Sequence, residues 1–351
     1  MPNKKDAPAL VVEITEETLT QDQEIIFFSQ GSDIKHLVPR DNNLDHRRFS
    51  DDKKLFLIEL NKTFDNNLLS YEGANFNPYP LLVDEKLTKQ MVHLHGLLIE
   101  AVNQVVRNYL IDKDIQAIIS LPDRVVKLLE LANETDYQIG AIRPDFLIDK
   151  VGNLKICEIN ARFPLNGFIM SEHLNEVVFQ QNLVTSGMDS IDENNQITKL
   201  ITNFFDLTKP ISILKDKEKG YDINFLESHL KELSKQAVIQ VVSPQQLTVD
   251  KSGIHNETNY CNQFVLELSQ AELLGMNADV LTKIVSSSRY FNDIRTIFIG
   301  HDKRLLTVLR DEQIMKKYLS AEQFQQLQDY IIPTYILDEK VQKSIINDPA
   351  S

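Results

Sequence analysis

The stretch that decides the fold is RPDFLIDKVGNLKICEIN, residues 143–160. Apolar and polar residues alternate in each half of it, a pattern typical of half-buried β-strands. Residues 150–153 separate the halves and contain the Gly and Asn that a hairpin turn favours. The sequence therefore predicts a β-hairpin with one strand on either side of this turn.

The register of this hairpin brings like charges together. Pairing the two strands directly across the turn places Asp145 opposite Glu158. Facing side chains in an antiparallel pair have Cβ atoms roughly 5 Å apart, and two carboxylates at that distance destabilise the sheet. Either solvent and a nearby Arg143 or Arg162 neutralise them, or they bind a cation. Spacing alone leaves both interpretations open.

The neighbours of the two acids favour the cation. Arg143 and Asn160 lie on the same face and at the same end of the predicted hairpin. Carboxylate and amide oxygens without His or Cys suit Mg²⁺ that also holds phosphate oxygens, and the planar fork of arginine suits phosphate itself. The pattern therefore favours a magnesium site with Asp145, Glu158 and Asn160 as ligands.

At this point the sequence resembles a known family. Arg-x-Asp, a short turn and Glu-x-Asn at a strand end resemble the metal-binding hairpin of ATP-grasp enzymes. The similarity is greatest to the circularly permuted branch, with its glutathionylspermidine synthetase-like and glutathione synthetase ATP-binding-domain-like proteins. A second motif, Phe291–Arg304, is similar to the segment that ends the small pre-ATP-grasp domain of that branch. Between the motifs, 211–214, 221–233 and 237–242 have the pattern of a strand, helix, strand unit.

The resemblance implies an α/β (α+β) fold in which an ATP-grasp-like metal-binding subdomain precedes a small Rossmann-like pre-ATP-grasp domain. The implied domains are an N-terminal arm at 1–50, the ATP-grasp-like subdomain at 51–200, the pre-ATP-grasp-like domain at 205–310 and a helical C-terminal segment at 311–351.

The implied activity is an ATP- and Mg²⁺-dependent carboxylate–amine ligase that forms an amide through an acylphosphate. By this resemblance Arg143 is the catalytic residue that stabilises the transferring phosphoryl group. Lys303 and Arg304 are expected to bind the ATP phosphates, and Arg162 and Asn166, in the loop after the hairpin, the substrate carboxylate. The expected partners are therefore a small-molecule carboxylate and an amine.

One part of the family pattern is absent from the sequence. Members also grip the nucleotide with lysines on the strands of a second lobe, which in the permuted order should follow Arg304. Here 305–318 and 321–330 have helical patterns, and no Gly-rich phosphate loop or lysine-bearing hairpin follows. The alternative function is a non-catalytic or partner-dependent relative with an incomplete nucleotide site. A Mg²⁺-dependent phosphohydrolase on an unrelated α/β fold would need a further carboxylate cluster, which the sequence lacks.

Composition narrows the class of protein. The net charge of −14 argues against a nucleic-acid partner, which requires a basic face. No apolar run reaches the ~18 residues that cross a bilayer, and no apolar signal core follows the N-terminus, so we expect a cytoplasmic protein without a membrane partner. Cys157 and Cys261 lie far apart in strand-like runs, which favours reduced thiols. The sequence does not indicate an oligomeric state.

Overall fold

The structure is a computed structural model. It describes residues 23–27, 35–39, 46–63, 79, 81–83, 85–149, 153–165, 167–180, 193–217, 221–233, 238–257 and 259–336.

Helices and strands are mixed along the described part of the chain, in agreement with the predicted α/β (α+β) class. The helices are α1 His46–Thr63, α2 Glu85–Asn108, α3 Lys113–Ile118, α4 Asp123–Ala132, α5 Phe168–Gln180, α6 Glu193–Phe204, α7 Tyr221–Leu233, α8 Gln270–Gly275, α9 Ala278–Ser287, α10 Leu305–Arg310, α11 Glu312–Met315 and α12 Ala321–Tyr330. The strands are β1 Gln23–Phe27, β2 Lys35–Pro39, β3 Leu81–Leu82, β4 Arg143–Ile148, β5 Leu154–Asn160, β6 Ile211–Lys215, β7 Ile239–Val242, β8 Leu247–Asp250, β9 Gly253–Asn256, β10 Asn259–Cys261, β11 Gln263–Glu267 and β12 Arg289–Phe291.

The chain divides into two compact units. Unit 1 comprises Met1–Val92, Ile148–Asn153 and Gly167–Thr198, and unit 2 comprises His93–Leu147, Leu154–Asn166 and Lys199–Ser351. Each unit therefore draws on several segments of the chain, whereas the domains expected from the sequence are continuous ranges. Those ranges stay a prediction.

Unit 1 contains a small antiparallel sheet and a helix. Strands β1, β2 and β3 follow one another in the sheet, and β1 and β2 lie within the range predicted as an N-terminal arm. The apolar run at 54–60 is compatible with a short strand or a helical turn, and the structure makes it part of α1. Phe56 and Leu60 are buried there, four residues apart on one helical face.

Unit 2 contains the main hydrophobic core. The apolar stripe of α2 predicts a long amphipathic helix, and Leu94, Leu98, Val102 and Val105 are indeed buried in this core. Pro122 lies immediately before α4, where its fixed φ angle suits a helix start. The predicted helix at 305–318 is interrupted at Asp311. The carboxylate of that residue accepts the backbone N–H groups of Gln313 and Ile314 and so begins a new helix.

A four-stranded parallel sheet organises the second half of unit 2. Its order is β12-β11-β6-β7, and α7 connects β6 to β7. Strands β6 and β11 lie in the middle and are buried almost throughout, which explains their continuous apolar sequence. This is the strand, helix, strand unit that the sequence predicts.

The motif after β12 differs from its expected form. The apolar run before His301 suggests a strand that continues to that residue, but Thr296–Gly300 forms a buried π-helical turn. His301 therefore follows the end of a helical turn and not the end of a strand. No helix among the described residues is long and apolar enough to span a membrane.

A hydrogen-bonded network around the buried Asp112 joins α3 to the turn after α11. The carboxylate of Asp112 caps α3 and accepts hydrogen bonds from the Tyr318 hydroxyl at 2.5 Å and the Lys317 ammonium at 3.0 Å. Burial alone raises the pKa of Asp112, but the hydroxyl and the ammonium outweigh it and hold this pKa at about 2. The charged form of Asp112 therefore stabilises the folded state.

We expect Asp112→Asn to lower the free energy of unfolding by about 2 kcal/mol at pH 7, because the amide keeps the helix cap but loses the charged bonds. A carboxyl with a depressed pKa contributes stability above its unfolded pKa and loses it as the pH falls through the folded value. The difference between the two proteins should therefore shrink between about pH 4 and pH 2. Urea unfolding across this range measures it, and a difference that does not change with pH would contradict the assignment.

Candidate active site

Strands β4 and β5 pair as a two-stranded sheet, which confirms the predicted hairpin at 143–160. The Asp149 carboxylate accepts the backbone N–H of Asn153 at 2.8 Å, and the backbone N–H of Asp149 donates to the Asn153 carbonyl at 2.9 Å. A parallel bridge between Ile156 and Ile331 extends the sheet beside β5. The hairpin is therefore held at its turn and along one edge.

Three of the predicted site residues meet at the open end of the hairpin. The Arg143 guanidinium donates to Oδ1 of Asp145 at 3.0 Å, and the Asn160 amide donates to Oδ2 of the same carboxylate at 2.9 Å. We call Arg143, Asp145 and Asn160 the hairpin cluster. Arginine is therefore the counter-ion of Asp145 in this structure, as one of the two interpretations expects.

Glu158 has a different partner. Its carboxylate lies 3.4 Å from the ammonium of Lys303, which is the residue predicted to bind ATP phosphates. The side chain of Lys303 is 80% exposed and that of Glu158 is 33% exposed, so the lysine lies on the solvent side of the pair. Such an exposed pair separates at little free-energy cost, and its cation is available to another anion.

His301 lies beside this pair, a position that the sequence did not reveal. Its Nδ1 accepts the backbone N–H of Ala161 at 3.4 Å, directly after the end of β5. Burial and the Arg162 guanidinium lower the pKa of His301, although Glu158 and a hydrogen bond with the Ile159 backbone act in the opposite direction. His301 is therefore neutral at pH 7. We call Glu158, His301 and Lys303 the turn cluster.

Asp302 does not form a dyad with His301. Its carboxylate instead holds the Arg304 guanidinium through bonds of 2.9 and 2.6 Å, and Arg304 also donates to the Ser120 hydroxyl at 3.2 Å. This pair raises the pKa of Arg304. Of the two residues predicted to bind phosphate, the structure thus brings Lys303 to the site and bonds Arg304 to Asp302 and Ser120.

The predicted substrate residues are only partly described. The Arg162 guanidinium lies 4.0 Å from the centre of the Phe163 ring, stacked on its face. Its positive charge also lowers the pKa of His301. Asn166 lies outside the described residues, and its role stays a prediction. Arg162 is therefore near the turn cluster, as the proposed contact with a substrate carboxylate requires.

One buried amide fixes both strands of the hairpin. Asn292 is fully buried, and its side-chain NH₂ donates to the carbonyls of Ala141 and Ala161 at 3.0 Å each. Its oxygen accepts the backbone N–H of Ala141 at 3.2 Å. Ala141 comes just before β4 and Ala161 just after β5. Asn292 therefore sets the positions of both strand ends that carry the predicted ligands.

This arrangement requires a glycine. Gly140 has φ +69°, and a Cβ atom at this position would lie 1.5 Å from Oδ1 of Asn292. The missing side chain therefore leaves the space that Asn292 occupies, and glycine also adopts the left-handed backbone without strain.

A second buried group supports the same region. The Arg295 guanidinium donates to both carboxylate oxygens of Asp293, at 3.0 and 2.8 Å, and to the carbonyls of Thr135 and Asp136 at 3.0 and 3.3 Å. It lies 5.0 Å from the centre of the Tyr137 ring. Asn292, Asp293 and Arg295 therefore join β12 to the segment before the hairpin.

The donor set fits magnesium only together with a phosphate ligand. Among the described residues no group of three or more His, Cys, Asp and Glu side chains is arranged to hold a metal ion. Two carboxylates and an amide oxygen are nevertheless the ligand types that Mg²⁺ uses when water and substrate phosphates complete its shell. Asp145, Glu158 and Asn160 therefore have the right chemistry for a shared site.

A family model and a curated protein show what the chain is similar to. The model of the AnkG N-terminal domain family matches residues 94–299. The ATP-grasp enzyme ankG of Aspergillus thermomutatus is 23% identical over 314 residues, which cover 78% of this chain and 64% of that protein. This chain thus spans 64% of the length of that curated relative.

A solved structure shows the same fold. The glutathione synthetase-like effector GSS30 of Globodera pallida, in its apo form, superposes with a TM-score of 0.56 at 13% identity. The superposition covers 87% of this chain and 79% of the effector. An identity this low carries the fold alone, and the mixed α/β architecture agrees with it. Because the matched family model covers more than half of the sequence, this protein belongs to the family of AnkG N-terminal domains and is ATP-grasp-like.

Proposed function

We propose that this chain supplies the magnesium- and phosphate-binding half of an ATP-dependent carboxylate–amine ligase. The observation that carries the proposal is the convergence of Arg143, Asp145 and Asn160 in one cluster, with Glu158, two residues before Asn160 on β5, paired with Lys303. The similarity to an ATP-grasp enzyme supports ATP as the nucleotide. The carboxylate and amide oxygens of the site support Mg²⁺ as the metal.

The acidic residues and the basic residues of the site would have different roles. Asp145, Glu158 and Asn160 would hold Mg²⁺, which when bound neutralises phosphate charge as the phosphoryl group moves. Arg143 would then release Asp145 and bind the transferring phosphoryl oxygens. Lys303 would release Glu158 and bind an ATP phosphate. Arg162 would orient the substrate carboxylate. Arg143 and Lys303 lie within 3.4 Å of Asp145 and Glu158, so both cations are next to the carboxylates that would hold the metal.

The reaction would join two small molecules. The carboxylate substrate takes the terminal phosphoryl group of ATP to form an acylphosphate, and the amine then displaces phosphate to form the amide. The proton that the amine loses in the second step would pass to the leaving phosphate or to water.

Glu158→Gln tests the metal role. We expect the variant to bind Mg²⁺–ATP at least about tenfold more weakly, because weakening a metal site by one partner typically costs this much. Metal-free ATP, measured with a chelator present, should bind the variant no more weakly than the native chain, because the substitution removes a negative charge near the phosphates. Isothermal titration calorimetry measures both affinities.

Glu130→Gln is the matched control, because Glu130 is an exposed acid on α4 and should leave both affinities unchanged. Equal weakening of both nucleotide forms by Glu158→Gln would indicate a structural defect instead of a lost ligand. The absence of any nucleotide binding by the native chain would favour the second candidate, a relative whose nucleotide site is non-catalytic or completed by a partner. That candidate rests on the donor set, because among the described residues no three His, Cys, Asp and Glu side chains are arranged to hold a metal ion.

A further inference from the structure

Unit 2 contains a cavity whose lining includes no residue of the hairpin cluster or the turn cluster. Its volume is about 460 Å³, within the range of about 300–1,000 Å³ that small-molecule sites occupy. Three segments form it: the loop before the hairpin, the end of α6, and the end of α9 with β12. Asp136, Phe204, Arg289, Phe291 and Asp293 are among the residues that line it.

The walls of this cavity are fixed by hydrogen bonds and ring contacts. The Arg289 guanidinium donates to the Phe204 carbonyl at 2.7 Å, which ties β12 to the end of α6. The rings of Phe204 and Phe291 pack edge to face with their centres 5.1 Å apart. The Asp136 carbonyl accepts a bond from Arg295. The cavity is therefore formed before any ligand arrives, which lowers the free-energy cost of binding.

Within the described part of the chain, one cation and one anion of the lining have no charged partner. Among the residues that the structure describes, neither the Arg289 guanidinium nor the Asp136 carboxylate forms an ion pair, and both are exposed. Asp293 also lines the cavity, but Arg295 neutralises it at 2.8 Å. The charge presented to a ligand is thus one positive and one negative group beside an aromatic wall.

We propose that this cavity is a second binding site, for a zwitterionic amino acid or short peptide. Arg289 binds the carboxylate of the ligand, Asp136 binds its ammonium group, and its side chain packs on Phe204. A nucleotide is a poorer match because its phosphates would meet Asp136, and a purely apolar ligand would cover both charges without pairing them. This inference goes beyond the proposed function and does not depend on it.

Titration of the full isotope-labelled chain with glycyl-L-leucine, followed by NMR, tests the site without nucleotide. The dipeptide should shift the amide resonances of 135–138 and 286–291. Its N-acetyl derivative and its C-terminal amide should each bind about fivefold more weakly, the range of one exposed ion pair. Asp136→Asn should remove the preference over the N-acetyl form alone, and Arg289→Gln the preference over the amide alone.

Asp279→Asn is the matched control, because Asp279 is an exposed acid on α9 that does not line the cavity, and this variant should keep both preferences. Equal affinity of the native chain for the three ligands would overturn the proposal. So would resonance shifts confined to other regions, or no shift at millimolar dipeptide. Because no ATP is present, these outcomes are independent of the test with Glu158→Gln.

Discussion

Gly140→Ala is expected to lower the free energy of unfolding by about 3 kcal/mol or more. The φ angle of +69° costs a residue with a Cβ atom about 1–2 kcal/mol. The new methyl group would also lie 1.5 Å from Oδ1 of Asn292, a buried residue whose side-chain amide bonds to both ends of the hairpin. Asn292 must move, and each buried polar group left without a partner costs about 1–3 kcal/mol.

Two further variants separate these causes. In an Asn292→Ala background the clash is absent, so Gly140→Ala should cost only the backbone strain of about 1–2 kcal/mol. Gly96→Ala is the control, because a Cβ atom there meets nothing within 4 Å and the substitution should stabilise α2 by up to about 1 kcal/mol. Urea unfolding gives these values. Equal costs of Gly140→Ala in both backgrounds would contradict the contact with Asn292.

The effect on the site follows from the position of Asn292. Because its bonds hold Ala141 and Ala161, Gly140→Ala should increase amide hydrogen exchange near both strand ends of the hairpin. The hairpin cluster lies between those ends, so we also expect weaker binding of Mg²⁺–ATP by this variant. Exchange that rises uniformly over the whole chain would instead indicate a general loss of stability.

Arg295→Met should cost about 3–5 kcal/mol, the second large effect. Arg295 is 4% exposed and Asp293 is 8% exposed, so the substitution leaves a buried carboxylate without its cation. It also leaves the carbonyls of Thr135 and Asp136 without a donor. Arg295→Lys should also destabilise the protein, because one ammonium group cannot reproduce the planar fork that serves four acceptor atoms.

A double variant isolates the ion pair. Asp293→Asn combined with Arg295→Met removes both charges, and its cost should be clearly smaller than the sum of the two single substitutions. Chemical denaturation of the four proteins measures this coupling. Additive costs would show that Arg295 acts through its carbonyl contacts alone.

The sequence predicted the hairpin and the helices of this fold well, for local reasons. Alternation and turn residues depend on neighbouring positions, so 143–160 is recognisable without any knowledge of packing. The pattern of the strand, helix, strand unit at 211–242 is local in the same way. The π-helical turn at 296–300 was missed, because its continuous apolar residues suit a buried strand as well as a buried helix.

The partners of the site residues were harder to predict. The sequence placed Arg143, Asp145 and Asn160 together through strand register, and the structure brings them into contact. It gave Lys303 and Arg304 the same role, yet Lys303 pairs with Glu158 while Arg304 bonds Asp302 and Ser120. Neighbours at a helix start diverge in direction by about 100°, so one shared motif cannot fix both partners.

By itself the sequence determined which chemistry is present: a hairpin that ends in carboxylates, an amide and an arginine. Only the tertiary structure decided which of these groups meet, that His301 lies beside Glu158, and that Asn292 and Gly140 hold the strand ends in place. The physical reason is the separation along the chain of the residues that interact. Strand and turn preferences act between neighbouring residues, whereas the contacts of a site join distant segments that meet only when the core packs.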